Sequence, residues 1–209
     1  MSDYKLILAS ASPRRQELLN QIAVQFSVQA QDIDESLKQD ESAEDYVCRM
    51  AKEKAQSALD AHVDSEHQII LAADTVVVCD DEIMGKPADK QQSAMMLGKL
   101  SGRQHRVLSA ICLASGERFE SALSESWVSF RNISEQEARA YWQSGEPAGK
   151  AGSYAIQGLA AIFVTRLEGS YSGVMGLPLY ETAALLDSFG IDCINTPSNL
   201  FDNKSGPNS

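Results

Sequence analysis

Apolar and polar positions follow two rhythms along this chain. Short apolar runs mark strands: Leu6–Ala9, the nearly continuous Gln68–Cys79, and Ala161–Leu167. Val107–Ala114 and Glu117–Phe130 read as two long strands around Ser115-Gly116, Glu82–Met84 as a return after an Asp80-Asp81 turn, and Ile22–Val28 as a weakly alternating strand. Helical spacing with start and stop signals predicts five helices. The first opens at Pro13, behind Ser12 as N-cap, and presents Leu18, Leu19 and Ile22. The second runs from Ser42 and Asp45 to about Leu59, and the third from Asp89 to Lys99. The fourth starts on the Ser134/Glu137 capping box and ends near Ser144; the last runs from Pro178 to Phe189 and stops at Gly190. Strands and helices interleave over residues 1–194, which read as one domain or two intimate lobes. Residues 195–209, dominated by Pro, Asn, Ser and Gly, read as a disordered tail.

The exceptions to these rhythms carry the candidate chemistry. Leu6–Arg15 is a strand, a Ser10-Ala11-Ser12 break and a helix start, which aims N–H groups and a positive dipole end at one place. Arg14 and Arg15 stand in that first turn, where the dipole disfavours cations. A phosphorylated ligand resolves the conflict; two solvated arginines are the plainer reading. On the second helix Val47, Ala51, Lys54 and Ala58 share one face, since seven residues make nearly two turns. Lys54 is thus a lysine on the apolar stripe, either snorkelling at its edge or reaching a pocket, and its central place favours the pocket. Asp74 interrupts the most apolar strand. A carboxylate there is costly unless it is paired, metal-bound or part of a site, which makes Asp74 the best candidate for a catalytic carboxylate. Gln31-Asp32-Ile33-Asp34-Glu35-Ser36 is an acidic loop, locally a solvated turn, with a hard-cation ligand set as the competing reading. The small residues from Gly149 to Gly158 let backbone approach a ligand closely.

Composition narrows the partners. The 209 residues are 44% hydrophobic and 22% charged, with a formal net charge of −11. That balance argues against nonspecific nucleic-acid or anionic-membrane binding but leaves room for a small anion in a locally basic pocket. No apolar run approaches membrane-spanning length, and the N-terminal run is too short for a signal peptide. Cys48, Cys79, Cys112 and Cys193 form no Cys-x-x-Cys pair, so they suggest neither zinc nor disulfides, and a reducing cytoplasm suits them. The three histidines make no metal-ligand motif.

Seven stretches in order resemble the Maf-like nucleoside triphosphate pyrophosphatases: Ser10–Arg15, Asp34-Glu35, Ala51–Ala55, Ala73-Asp74-Thr75, Gly85-Lys86-Pro87, the Gly152–Gly158 loop and Gly176-Leu177-Pro178-Leu179. The resemblance implies an α/β fold, a mixed twisted sheet with flanking helices and two lobes around a deep cleft, usually in a homodimer. It implies hydrolysis of a nucleoside triphosphate to monophosphate and pyrophosphate with magnesium or manganese. Ser10, Arg14, Arg15, Lys54 and Lys86 would hold the triphosphate, while Glu35 and Asp74 would handle the metal and the attacking water, Asp74 as proton acceptor. Arg14, Thr75 and Gln157 occupy the positions that mark substrate subgroups and resemble the subgroup acting on dTTP and UTP. Ala73 departs from the pattern, where glycine is commoner. The alternative is a nucleotide-binding regulator of cell division or septation without significant turnover.

Overall fold

The computed structural model describes residues 4–61 and 67–193, so the expected tail at 195–209 lies outside the described residues. The chain forms β1 (Lys5–Leu8), α1 (Pro13–Gln21), β2 (Ser27–Val28), α2 (Ala43–Asp60), β3 (Gln68–Cys79), β4 (Glu82–Met84), α3 (Lys90–Leu100), β5 (Gln104–Ser115), β6 (Arg118–Phe130), α4 (Glu135–Gln143), β7 (Val164–Glu168), α5 (Tyr171–Met175) and α6 (Leu179–Ser188). Two 3₁₀ segments, Ala151–Ser153 and Leu159–Phe163, lie between α4 and β7. The fold is α/β, with a mixed sheet in the order β2-β1-β3-β5-β6-β7 and β4 paired to β3. β1 is parallel to β2 and β3, and the remaining pairs are antiparallel.

Side-chain alternation along β3 explains how the helices are distributed. Ile70, Ala72, Val76 and Val78 point to one face and join Val47, Ala51, Ala55 and Ala58 of α2 in one core cluster. On the other face Ile69, Leu71 and Ala73 pack with Leu18, Leu19, Leu177 and Leu186, whereas Val77 and Cys79 pack with residues of α3, α4 and the loop after it. The cores on this second face are separate and divide at Thr75 and Ser109, a directly paired couple on β3 and β5. The outer edge of β3 is interrupted at the same level. β1 pairs as far as Leu71 and the pairing with β4 begins at Val77, so no strand among the described residues covers this edge of β3 between them. The two-lobed expectation takes this form: one sheet, two groups of elements on one face, and a gap beside Asp74 and Thr75.

Local signals account for most element ends. Ser134 and Glu137 form a complete capping box, and the Ser42 and Asp89 side chains accept the N–H of Asp45 and Gln92. Asp80 and Asp81 both take positive φ, 52° and 61°, as a two-residue hairpin between β3 and β4 requires. Three expectations change. Ser12 sits at the N-cap of α1 but its side chain caps nothing. The strand expected over Ile22–Val28 shrinks to Ser27–Val28, because α1 continues to Gln21 and Ala23 turns the chain at φ 56°. The strand expected from Ala161 begins at Val164, after a 3₁₀ segment.

Gly152 fixes how the late loop meets the sheet. Its φ is +63°, and an added Cβ would stand 2.8 Å from Val77 Cγ2. Its N–H donates to Gly85 O at 3.1 Å, tying this loop to the Gly85-Lys86 turn. Gly152→Ala is therefore expected to lose about 2 kcal/mol or more through left-handed strain and overpacking. Urea denaturation measures this, and an unchanged midpoint would show that Val77 yields freely.

Candidate active site

A cavity of about 530 Å³ opens at the gap beside β3. All nine residues singled out from the sequence line it: Ser10, Arg14, Arg15, Glu35, Lys54, Asp74, Thr75, Lys86 and Gln157. With Lys150, five cationic side chains share it with two carboxylates, a local excess of positive charge in a chain of net charge −11. That inversion suits a compact polyanion.

The cations are built into the wall rather than left in solvent. Ser10 follows β1, and its hydroxyl accepts from Ser12 N–H at 3.2 Å and from Arg15 Nη1 at 3.1 Å. Arg15 also donates from Nε to Gly176 O at 2.8 Å and from Nη2 to Thr75 Oγ1 at 3.4 Å. Thr75 Oγ1 lies 2.8 Å from Ser109 Oγ, which donates to Gly173 O at 2.7 Å. A guanidinium can only donate, so the protons run one way, from Arg15 through Thr75 and Ser109 to the carbonyl. Burial lowers the Arg15 pKa from its ordinary value, with Asp74 opposing the shift. Arg14 donates to Met175 O at 3.4 Å. The solvated-arginine reading therefore gives way to two arginines anchored on the α5 terminus.

On the other side of β3, Lys54 reaches from the inner face of α2 and is 8% exposed. Its ammonium lies 2.7 Å from Glu35 Oε1 and 2.7 Å from Asp74 Oδ1. The carboxylate in the apolar strand is thus paired, by the lysine that the α2 stripe placed out of pattern. Lys86 Nζ stands 3.3 Å from Glu35 Oε2. Burial pushes the Glu35 carboxyl up, but its bonds to Lys54 and Lys86 prevail and leave it below the usual value. Tyr46 holds the acidic loop by donating to Glu35 O at 2.9 Å, and burial beside Asp74 and Glu35 raises its hydroxyl to about 12. Ala73 lies in regular antiparallel pairing opposite Ile111 and takes no positive φ, so alanine fits where glycine is commoner.

Lys150 was not singled out from the sequence. Burial, and Arg14 nearby, lower its pKa from the ordinary value. A cation within a run of small residues was the available signal. Among the described residues no group of three or more His, Cys, Asp or Glu is placed to hold a metal. Two carboxylates facing a cationic cavity nonetheless fit magnesium or manganese, because such ions are commonly held by one or two carboxylates together with substrate phosphates. No helix among the described residues is long and apolar enough to cross a membrane.

Comparison with known proteins agrees with the resemblance in the motifs. Residues 5–189 match the family described as Maf-like protein. A Hahella chejuensis protein named dTTP/UTP pyrophosphatase is 50% identical over 187 residues, covering 90% of this chain and 93% of that protein. Proteins of the same name from Colwellia psychrerythraea and Vibrio parahaemolyticus are 51% and 49% identical, covering 89% and 88% of this chain and 89% and 96% of theirs.

Proposed function

The chain belongs to the Maf-like family, and on that footing we propose that it is a nucleoside triphosphate pyrophosphatase converting dTTP and UTP to the monophosphate and pyrophosphate. The observation that carries this reading is the cationic cavity with Glu35 and Asp74 facing into it. Relatives at about half identity over most of the chain support the substrate class.

In this reading Ser10, Arg14, Arg15, Lys54 and Lys86 bind the triphosphate and offset the charge that moves onto the leaving pyrophosphate. Asp74 accepts the proton of the water that attacks the α–β anhydride, and Lys54 keeps Asp74 and Glu35 together across the cavity floor. Glu35 and Asp74 would hold a magnesium or manganese ion, which when bound supplies Lewis-acid neutralisation of the phosphates. Thr75, whose hydroxyl already receives Arg15, and Gln157 face the remaining space, where a base would sit. The same reading takes residues 1–194 as one domain of a cytoplasmic homodimer. Four unpaired cysteines suit that compartment, and exposed Tyr180 and Ile162 supply apolar surface for a partner. A regulator that binds nucleotide without turnover would not need two carboxylates beside the clamp.

Purified protein with magnesium should convert dTTP and UTP in preference to GTP and ATP, releasing pyrophosphate, and EDTA should stop it. Phosphorus NMR of the products checks this. Orthophosphate as sole product, a purine preference, or tight binding without turnover would each overturn the assignment.

A further inference from the structure

Gln157 lines the cavity, yet its side chain has no hydrogen-bond partner among the described residues. Its position therefore comes from the loop backbone that carries it. A selective contact to a base is only as good as that placement.

One pair of side chains outside the cavity lining holds that backbone on both sides of Gln157. Two residues before it, Ala155 N–H donates to Tyr141 Oη at 3.1 Å. Tyr141 in turn donates to Glu146 Oε1 at 2.5 Å. Two and three residues after Gln157, Leu159 N–H donates to Glu146 Oε2 at 2.9 Å and Ala160 N–H to Glu146 Oε1 at 3.3 Å. The carboxylate occupies the space a side chain at position 158 would need: a Cβ on Gly158 would lie 2.1 Å from Glu146 Oε2. Burial pushes the Glu146 carboxyl up, but the bonds from Tyr141 and the two amides outweigh it and favour the ionised form. Hydrogen bonds to an ionised acceptor are shorter and stronger than neutral ones.

We propose that Tyr141 and Glu146 are positioning residues for substrate selection, bracing the loop on both sides of Gln157 so that its side chain meets the pyrimidine ring. This role rests on Gln157 being a base-selecting residue. Neither brace residue lines the cavity, so any effect on selectivity must pass through the loop. The clamp residues Ser10, Arg14, Arg15, Lys54 and Lys86 lie on other elements, and none of the brace's hydrogen bonds reaches them directly.

The test measures kcat and KM for dTTP, UTP, GTP and ATP on the wild type, Glu146→Gln, Tyr141→Phe, Gln157→Ala and the Glu146→Gln/Gln157→Ala double variant. Each brace variant should lower the pyrimidine-to-purine ratio of kcat/KM by about tenfold, the scale of one hydrogen bond to a charged group. The loss should lie mainly in KM for dTTP and UTP. The double variant should be no less selective than Gln157→Ala alone. Equal losses on all four nucleotides would reduce the pair to a structural staple and overturn the proposal. So would a double variant whose loss is the product of the two single losses. An unchanged ratio in Gln157→Ala would overturn the reading of Gln157 itself, and the brace with it, whereas a relaxed Gln157→Ala beside selective brace variants would overturn only the brace. Should Glu146→Gln fail to fold, Tyr141→Phe in the wild-type and Gln157→Ala backgrounds decides by the same criteria.

Discussion

Asp74→Asn is expected to lower turnover of dTTP by about 10²–10⁴-fold, the range supplied by a positioned acid or base. Asparagine keeps the volume, and its amide oxygen can still accept from Lys54. It cannot take a proton from water, and it is a poorer ligand for a hard cation. Nucleotide should still bind, because the arginines and lysines are untouched. As a lone charge in an apolar strand, Asp74 would destabilise the fold and its removal would stabilise it. The 2.7 Å contact with Lys54 corrects that expectation. A hydrogen bond to a charged group is exchanged for a weaker one, so stability should fall by about 1–2 kcal/mol. Pyrophosphate release and thermal melting on one preparation measure both effects. Turnover near the wild-type level would remove Asp74 from the chemistry.

Lys54→Ala should cost about 10²–10³-fold in turnover, the usual scale for one electrostatic donor aimed at developing charge. It should also expose what Lys54 does without substrate. Glu35 and Asp74 lose their shared cation, though their side chains are 42% and 13% exposed and water can reach both. Stability without added metal should therefore drop by about 1–3 kcal/mol, less than for a fully buried pair. Magnesium should then raise the melting temperature of the variant more than that of the wild type, since two carboxylates without an ammonium between them bind a divalent ion better. Equal magnesium responses would place the ion elsewhere. Normal turnover would make the lysine peripheral.

How far the site could be read from the sequence depends on burial. Lys54 and Asp74 stood out because each breaks an apolar pattern, and each is a partly or fully buried charge on a regular element. Glu35 and Lys86 break no pattern. Both are substantially exposed. Glu35 shows only as one carboxylate in an acidic loop that also reads as a solvated turn, and Lys86, an ordinary loop lysine by residue type, is singled out by the family resemblance alone. The long strands β3, β5 and β6 and the capped helices α2 and α4 followed their periodicity closely. The elements without a signal are too short for a period to develop, the two 3₁₀ segments and the five-residue α5, and the strand expected over Ile22–Val28 survives only as two residues. Glu146, between Gly145 and Pro147, looks like a polar turn residue, and nothing local marks it as the partner of Tyr141.

The arginine anchors have a consequence for the order in which the protein is synthesised. The carbonyls that orient the Nε–H groups of Arg14 and Arg15 belong to Met175 and Gly176, which leave the ribosome 161 positions later. A nascent chain that has folded β1, α2 and β3 already carries both arginines, Lys54 and both carboxylates, and Ser10 and Thr75 can already receive Arg15, yet neither Nε–H has its acceptor. Domains tend to form from the N-terminus during translation, at about 5–20 residues per second. The cationic wall of the cavity thus stays incomplete until α5 has emerged, and a prematurely terminated fragment holds a sheet with most of the charges and neither arginine Nε–H anchored.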